Sequence, residues 1–248
     1  MKIKPIVRGN FTKIIYDSER KLFIAGFYDG RIWLFNDEKF IISIPISKYP
    51  IKSICPFEPY LFISDEHKSL FILLISDNNV KYAEMRGFEN EIHLINSNFS
   101  SVLISFMNNI CIFGINPLNL ENLFEIESEF KVIDKYNIEN SKTVVYSTYS
   151  QNDLNIIYSI TSDLKEIFIR NISKRCFDKA INLTFIPLSV SVSKNCIYIR
   201  HLDGYSKINV DDEKITTIDF PAMKGLETNG KILLAFNNYE IWVIELNN

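Results

Sequence analysis

Short runs rich in Ile, Leu, Phe, Val and Tyr alternate along this chain with clusters of Asn, Asp, Ser, Lys and Glu, and no stretch shows a sustained helical period. That is the pattern of many short strands joined by polar turns. The best-formed stretch is Lys21–Asn36, KLFIAGFYDGRIWLFN. Two apolar runs, Lys21–Phe27 and Arg31–Phe35, flank Tyr28-Asp29-Gly30, and an Asp-Gly pair at that place predicts a β-hairpin. Gly30 can take the positive φ of such a turn, and Asp29 can hydrogen-bond the local backbone. Similar hairpins begin at Tyr60, Ser101, Leu154, Cys196 and Lys231.

The first hairpin is preceded by Phe11–Tyr16 and followed by Phe40–Ile46, giving four strands in about forty residues, the size and order of one β-propeller blade. A second unit reads Ile51–Pro56, Tyr60–Ser64, Ser69–Ile75 and Val80–Met85. A third contains Glu91–Asn96, the hairpin Ser101–Ile115 and Phe130–Tyr136, with Pro117–Glu129 as an insertion. The fourth runs through Thr143–Thr148, Leu154–Asn171 and Ala180–Phe185, and the fifth through Leu188–Ser193, Cys196–Val210 and Lys214–Phe220. The last hairpin, Lys231–Leu246, runs out of chain before a fourth strand. Lys2–Val7 alternates polar and apolar residues and has no place in the first unit, so it is expected to pair there and close the ring. The expectation is an all-β chain, one domain over residues 1–248. It would form a single six-bladed β-propeller of four-stranded antiparallel blades, closed by the N-terminal strand joining the last blade. A seven-bladed or irregular propeller is the alternative.

Hairpins of this form, an apolar strand, Asp-Gly, and an apolar strand ending in an aromatic, resemble WD40 repeats. In Ile24–Asn36, Asp29 falls at the family's turn Asp and Phe35-Asn36 at the place of its Trp-Asp pair; RHLDGYSKINV, with Asp203-Gly204, is the second match. No Gly-His dipeptide and no Trp-Asp pair occurs, so the repeats are degenerate. The resemblance implies a β-propeller that binds other proteins as a scaffold, as the small single-propeller adaptors do.

Composition narrows the setting. With 47% hydrophobic, 13% aromatic and 23% charged residues the chain can bury a sizeable core. A formal net charge of -3 argues against a general affinity for nucleic acid or anionic membrane, leaving only a local basic patch for such contacts. No apolar run has the length of a signal peptide core or a membrane span, so cytosol or nucleus is the expected address. Cys55, Cys111, Cys176 and Cys196 are far apart, without a CxxC pair or a His at ligand spacing, and are expected to be free thiols rather than zinc ligands.

Catalytic chemistry finds little support in the sequence. The three histidines, His67, His93 and His201, lie beside no nucleophile motif, and with eight glycines there is no GxGxxG or P-loop. No cofactor and no metal is expected. Turn carboxylates, Asp29, Asp65, Glu66, Asp163 and Asp203, have backbone reasons to be there. The alternative is a six-bladed propeller hydrolase or lactonase that gathers such carboxylates around a divalent metal in its channel. The leading expectation is a non-enzymatic scaffold or adaptor that binds a peptide or partner subunit on one face of the disc. The residues expected to serve there are Tyr28, Arg31, Lys48, Tyr49, Arg86, Lys174, Arg175, His201 and Tyr239, since aromatics and Arg supply most of the contact energy of protein interfaces.

Overall fold

A computed structural model describes residues 2–3, 9–17, 19–36, 39–76, 79–98, 101–106, 109–114, 131–137, 144–149, 156–161, 165–174, 176–193, 195–218, 225–228, 232–237 and 241–245. After a two-residue strand β1 (Lys2–Ile3), the chain forms β2 (Phe11–Asp17), β3 (Leu22–Phe27), β4 (Arg31–Phe35) and β5 (Phe40–Pro45), the first blade. The second is β6 (Ile51–Phe57), β7 (Tyr60–Asp65), β8 (Leu70–Ser76) and β9 (Asn79–Met85). The third is β10 (Leu94–Ser97), β11 (Ser101–Ser105), β12 (Asn109–Gly114) and β13 (Lys131–Asn137). The fourth is β14 (Val144–Tyr149), β15 (Ile156–Thr161), β16 (Glu166–Asn171) and β17 (Cys176–Asn182). The fifth is β18 (Ser189–Ser193), β19 (Cys196–His201), β20 (Gly204–Asn209) and β21 (Ile215–Ile218). All pairs within these sheets are antiparallel neighbours in sequence. The proposed insertion at 117–129 lies outside the described residues.

The expected count of blades needs correction. Five blades are built as the sequence pattern requires, each from four consecutive strands, and neither six such blades nor seven are present among the described residues. The remaining sheet is composite. It takes β22 (Gly225–Thr228), β23 (Ile232–Phe236) and β24 (Ile241–Glu245) from the end of the chain and adds β1 as its outer strand, in the order β1-β24-β23-β22. The physical reason is the origin of its outer strand, which comes from β1 at the other end of the chain rather than from a strand following β24. Of the expected outer strand Lys2–Val7, Lys2 lies opposite Trp242 and Ile3 opposite Ile241, and residues 4–7 lie outside the described residues. The inner strands meet in turn, β2 with β6, then β10, β14, β18 and β22, which returns to β2.

Blades stack face to face, so their middle strands are buried on both sides and lose the usual apolar-polar alternation. In β7 every residue from Tyr60 to Asp65 is buried. Phe62, with Leu70 and Ile72 of β8, packs toward the third blade against Val102 and Ile104. Leu61 and Ile63, with Phe71 and Leu73, pack toward the first blade against Ile24, Ile32 and Leu34. Gly26 permits a close approach of the first two blades: a Cβ there would stand 2.6 Å from Ile51 Cγ2.

Candidate functional site

Turns joining the second and third strands of a blade, and loops leading from one blade to the next, open on the same face of the stack. In the first blade Gly30 sits in the turn after β3 with φ +79°, which only glycine adopts easily. Its carbonyl accepts from Ile46 N at 3.2 Å and Ser47 N at 3.0 Å, and a Cβ on Gly30 would lie 2.2 Å from Ser47 O. The Asp-Gly turn therefore holds the loop that carries Ser47, Lys48 and Tyr49.

That loop is anchored from the other side by Asp65, which is 2% exposed at the end of β7. Its carboxylate accepts from Ser47 Oγ at 2.6 Å, His67 N at 2.9 Å and Ser69 N at 3.1 Å. The Asp thus shapes its own turn and ties it to the neighbouring blade. Lys68 completes the turn at φ +65° and donates from Nζ to Glu89 O at 2.7 Å. Tyr49 and His67, one from each side of the junction, stack with ring centroids 4.3 Å apart and planes 16° from parallel.

Between these pieces and the end of β9 lies a cavity of about 620 Å³, lined by Ser47, Lys48 and Tyr49 from the loop and by His67, Lys68 and Ser69 from the turn. Glu84, Arg86 and Phe88 form its outer wall, and Phe71 lies beneath it. Arg86 grips Glu84 in two bonds, Nε to Oε1 at 2.6 Å and Nη2 to Oε2 at 2.8 Å, while Ser69 Oγ adds a third at 3.1 Å. The Arg86 hydrogen bonds hold the Glu84 carboxyl below its ordinary pKa. No inner-strand residue lines the cavity, which sits between β5 and β8–β9 rather than over the channel.

Of the residues expected from the sequence, Lys48, Tyr49 and Arg86 come together here. Tyr28 and Arg31 occupy the adjoining turn, where Arg31 Nε lies 3.4 Å from Asp29 Oδ2. His201 is on the same face but in the fifth blade, stacked on Phe185 at 4.1 Å and hydrogen-bonded through Nε2 to Ser206 Oγ at 3.0 Å. Lys174 does not join them. It lies in the turn between β16 and β17, and turns between third and fourth strands open on the opposite side. Arg175 and Tyr239 lie outside the described residues. The sequence reading missed Ser69, Glu84 and Phe71 as parts of the cavity. Only the β8–β9 register, with Leu70 opposite Met85 and Phe71 opposite Glu84, brings them to it.

The channel side holds a different chemistry. Lys13 of β2 lies near Cys55 of β6; burial pushes the lysine down to about 8 and the thiol up to about 12. Cys55 Sγ donates to Ser97 Oγ at 3.2 Å. Burial likewise raises Tyr146 and Tyr149 to about 12. At neutral pH the thiol and the two phenols stay uncharged, whereas the Lys13 ammonium keeps its proton at a desolvation cost. Among the described residues no three His, Cys, Asp or Glu side chains gather as a metal ion would need, and no helix is long and apolar enough to cross a membrane. Of the turn carboxylates, Asp29 and Asp203 are exposed and Asp65 is spent on its own turn, while Asp163 lies outside the described residues.

No family model matches the sequence, and no curated protein sequence matches it. Solved structures do. A chain of the mitotic checkpoint complex superposes with a TM-score of 0.69 at 10% identity, covering 95% of this chain and 74% of that one. The β-propeller domain of Cps50 (Swd1) from Myceliophteria thermophila superposes with a TM-score of 0.69 at 9% identity, covering 98% of this chain and 99% of that domain. At such identities the likeness concerns the fold alone, that of a β-propeller.

Proposed function

We propose that this chain is a single-domain, non-enzymatic scaffold or adaptor that binds a peptide or partner subunit through the loop face, at the junction of the first two blades. The observation that carries the reading is the convergence of Lys48, Tyr49 and Arg86 with His67 around one cavity of about 620 Å³. A concave site with aromatic walls and a few charged groups is what peptide recognition requires. Scattered turn carboxylates support this reading over a channel metallohydrolase, as does the use of Asp65 in holding its own turn. One structural neighbour comes from a multiprotein complex, which is in keeping with a partner protein here. Cytosol or nucleus is the proposed location. The test is affinity purification of the tagged full chain from its native cell. A stoichiometric partner is expected; recovery of the chain alone at every salt concentration tried would overturn the proposal.

A further inference from the structure

The geometry points to an acidic peptide as the occupant of this cavity: a carboxylate side chain of the partner, beside an aromatic one, seated between Lys48, Lys68 and Arg86. The inference rests on the scaffold reading and names the chemistry of its ligand.

Charge complementarity carries it. The cavity wall holds three cations, Lys48, Lys68 and Arg86, against two carboxylates, Asp65 and Glu84. Asp65 is buried and turned into its own loop by three hydrogen bonds, and Glu84 is engaged by Arg86 and Ser69. Glu66 and Glu89 are exposed and do not line the cavity. Among the lining residues that leaves one surplus positive charge, in a protein whose formal net charge is -3. The grip of Glu84 uses Arg86 Nε and one Nη2 hydrogen, which fixes the guanidinium plane and leaves the Nη1 hydrogens for a further acceptor. A guanidinium oriented in this way is suited to a planar carboxylate. Lys48 has no ion pair among the described residues and supplies a second contact. Beside these donors the stacked Tyr49 and His67 present a ring face, Tyr49 being 43% exposed, on which an aromatic side chain of the same peptide can lie. A single surplus charge matches a monoanion better than a phosphate dianion, so the occupant is an Asp or Glu side chain.

The probes are capped tetrapeptides, Gly-Phe-Glu-Gly and its counterparts with Gln or phosphoserine in place of Glu. They are titrated into the full chain while the amide signals of residues 47–49, 67–69 and 84–88 are followed by NMR. The Glu peptide is expected to move these signals and to bind about tenfold more tightly than the Gln peptide, the worth of a charge-assisted hydrogen bond. Arg86→Gln should remove that preference, and Lys48→Gln should weaken binding about twofold to fivefold. Both side chains are exposed, and an exposed ion pair contributes little, so each change should move the melting temperature by no more than a few degrees, which separates lost binding from lost folding. Equal binding of the Glu and Gln peptides, binding of the phosphoserine peptide alone, or no shift at these residues would each overturn the inference. Failure of the scaffold reading is seen separately, as a wild-type chain that retains no stoichiometric partner in the purification above.

Discussion

Asp65 shows how one residue can serve both fold and site. Its carboxylate satisfies two backbone N–H groups of its own turn and the Ser47 hydroxyl of the preceding loop, all within 3.1 Å. Asp65→Ala would leave these donors without partners in a buried place, a loss of about 2–4 kcal/mol. In a chain of this size that lowers the melting temperature by roughly 4–16 °C, measurable by circular dichroism. Lys13 gives a second prediction at this scale. Its native pKa, about 8, is below the 10.5 of the unfolded chain, because burial disfavours the ammonium. The cost of burying the charge is therefore fully present below pH 8 and fades as pH rises toward 10.5, where the unfolded state holds the extra proton. The melting temperature of wild type relative to Lys13→Met should rise between pH 7.5 and 10; a flat difference would contradict the account. Residue positions were partly legible in the sequence: Asp29-Gly30 declared a turn, and Tyr49 and Arg86 were placed in loops on this face. The Ser69–Glu84–Arg86 bonds were not legible, since they follow from strand register and no local pattern encodes that.

Among the elements, β7 and β8 illustrate what the hydrophobic pattern conveys and what it hides. YLFIS and LFILLI read as strands from composition, and their unbroken apolar runs reflect burial on both faces between neighbouring blades. Phe62→Ala empties the contact with Val102 and Ile104 and should cost about 3–5 kcal/mol, read from denaturant unfolding. The turn of Gly30 is sensitive for another reason: Gly30→Ala forces a Cβ against the Ser47 carbonyl at a φ of +79°. It should destabilise the chain by about 2 kcal/mol or more and displace the loop carrying Lys48 and Tyr49. β22 escaped the sequence reading because Gly-Leu-Glu-Thr contains one apolar residue and has no alternation to reveal it. Lys174 was misplaced on the loop face because the turn after a third strand has the same polar composition as the turn after a second one. Strand parity alone tells the two apart.

At the level of the whole molecule, five blades of consecutive strands are joined by a composite sheet in which the first residues of the chain pair with the last strand. If that seam holds the molecule together, deleting Met1–Val7 lowers the melting temperature of the entire chain in one transition, whereas a truncation that melts like the parent would show that the seam is dispensable. The recurrence of hairpins made the propeller legible, as did the pairing of the N-terminal strand with the last hairpin; the count of six did not stand, because that closing sheet is composite and only five blades are built from consecutive strands. The central claim is that the junction of the first two blades is where a partner protein binds. Its most direct test compares the wild-type chain with the Lys48→Glu, Arg86→Glu double variant, both tagged and purified from the native cell at matched expression. The account expects one stoichiometric partner with the wild type and its loss with a variant that melts within a few degrees of it; equal retention of that partner by both would contradict it.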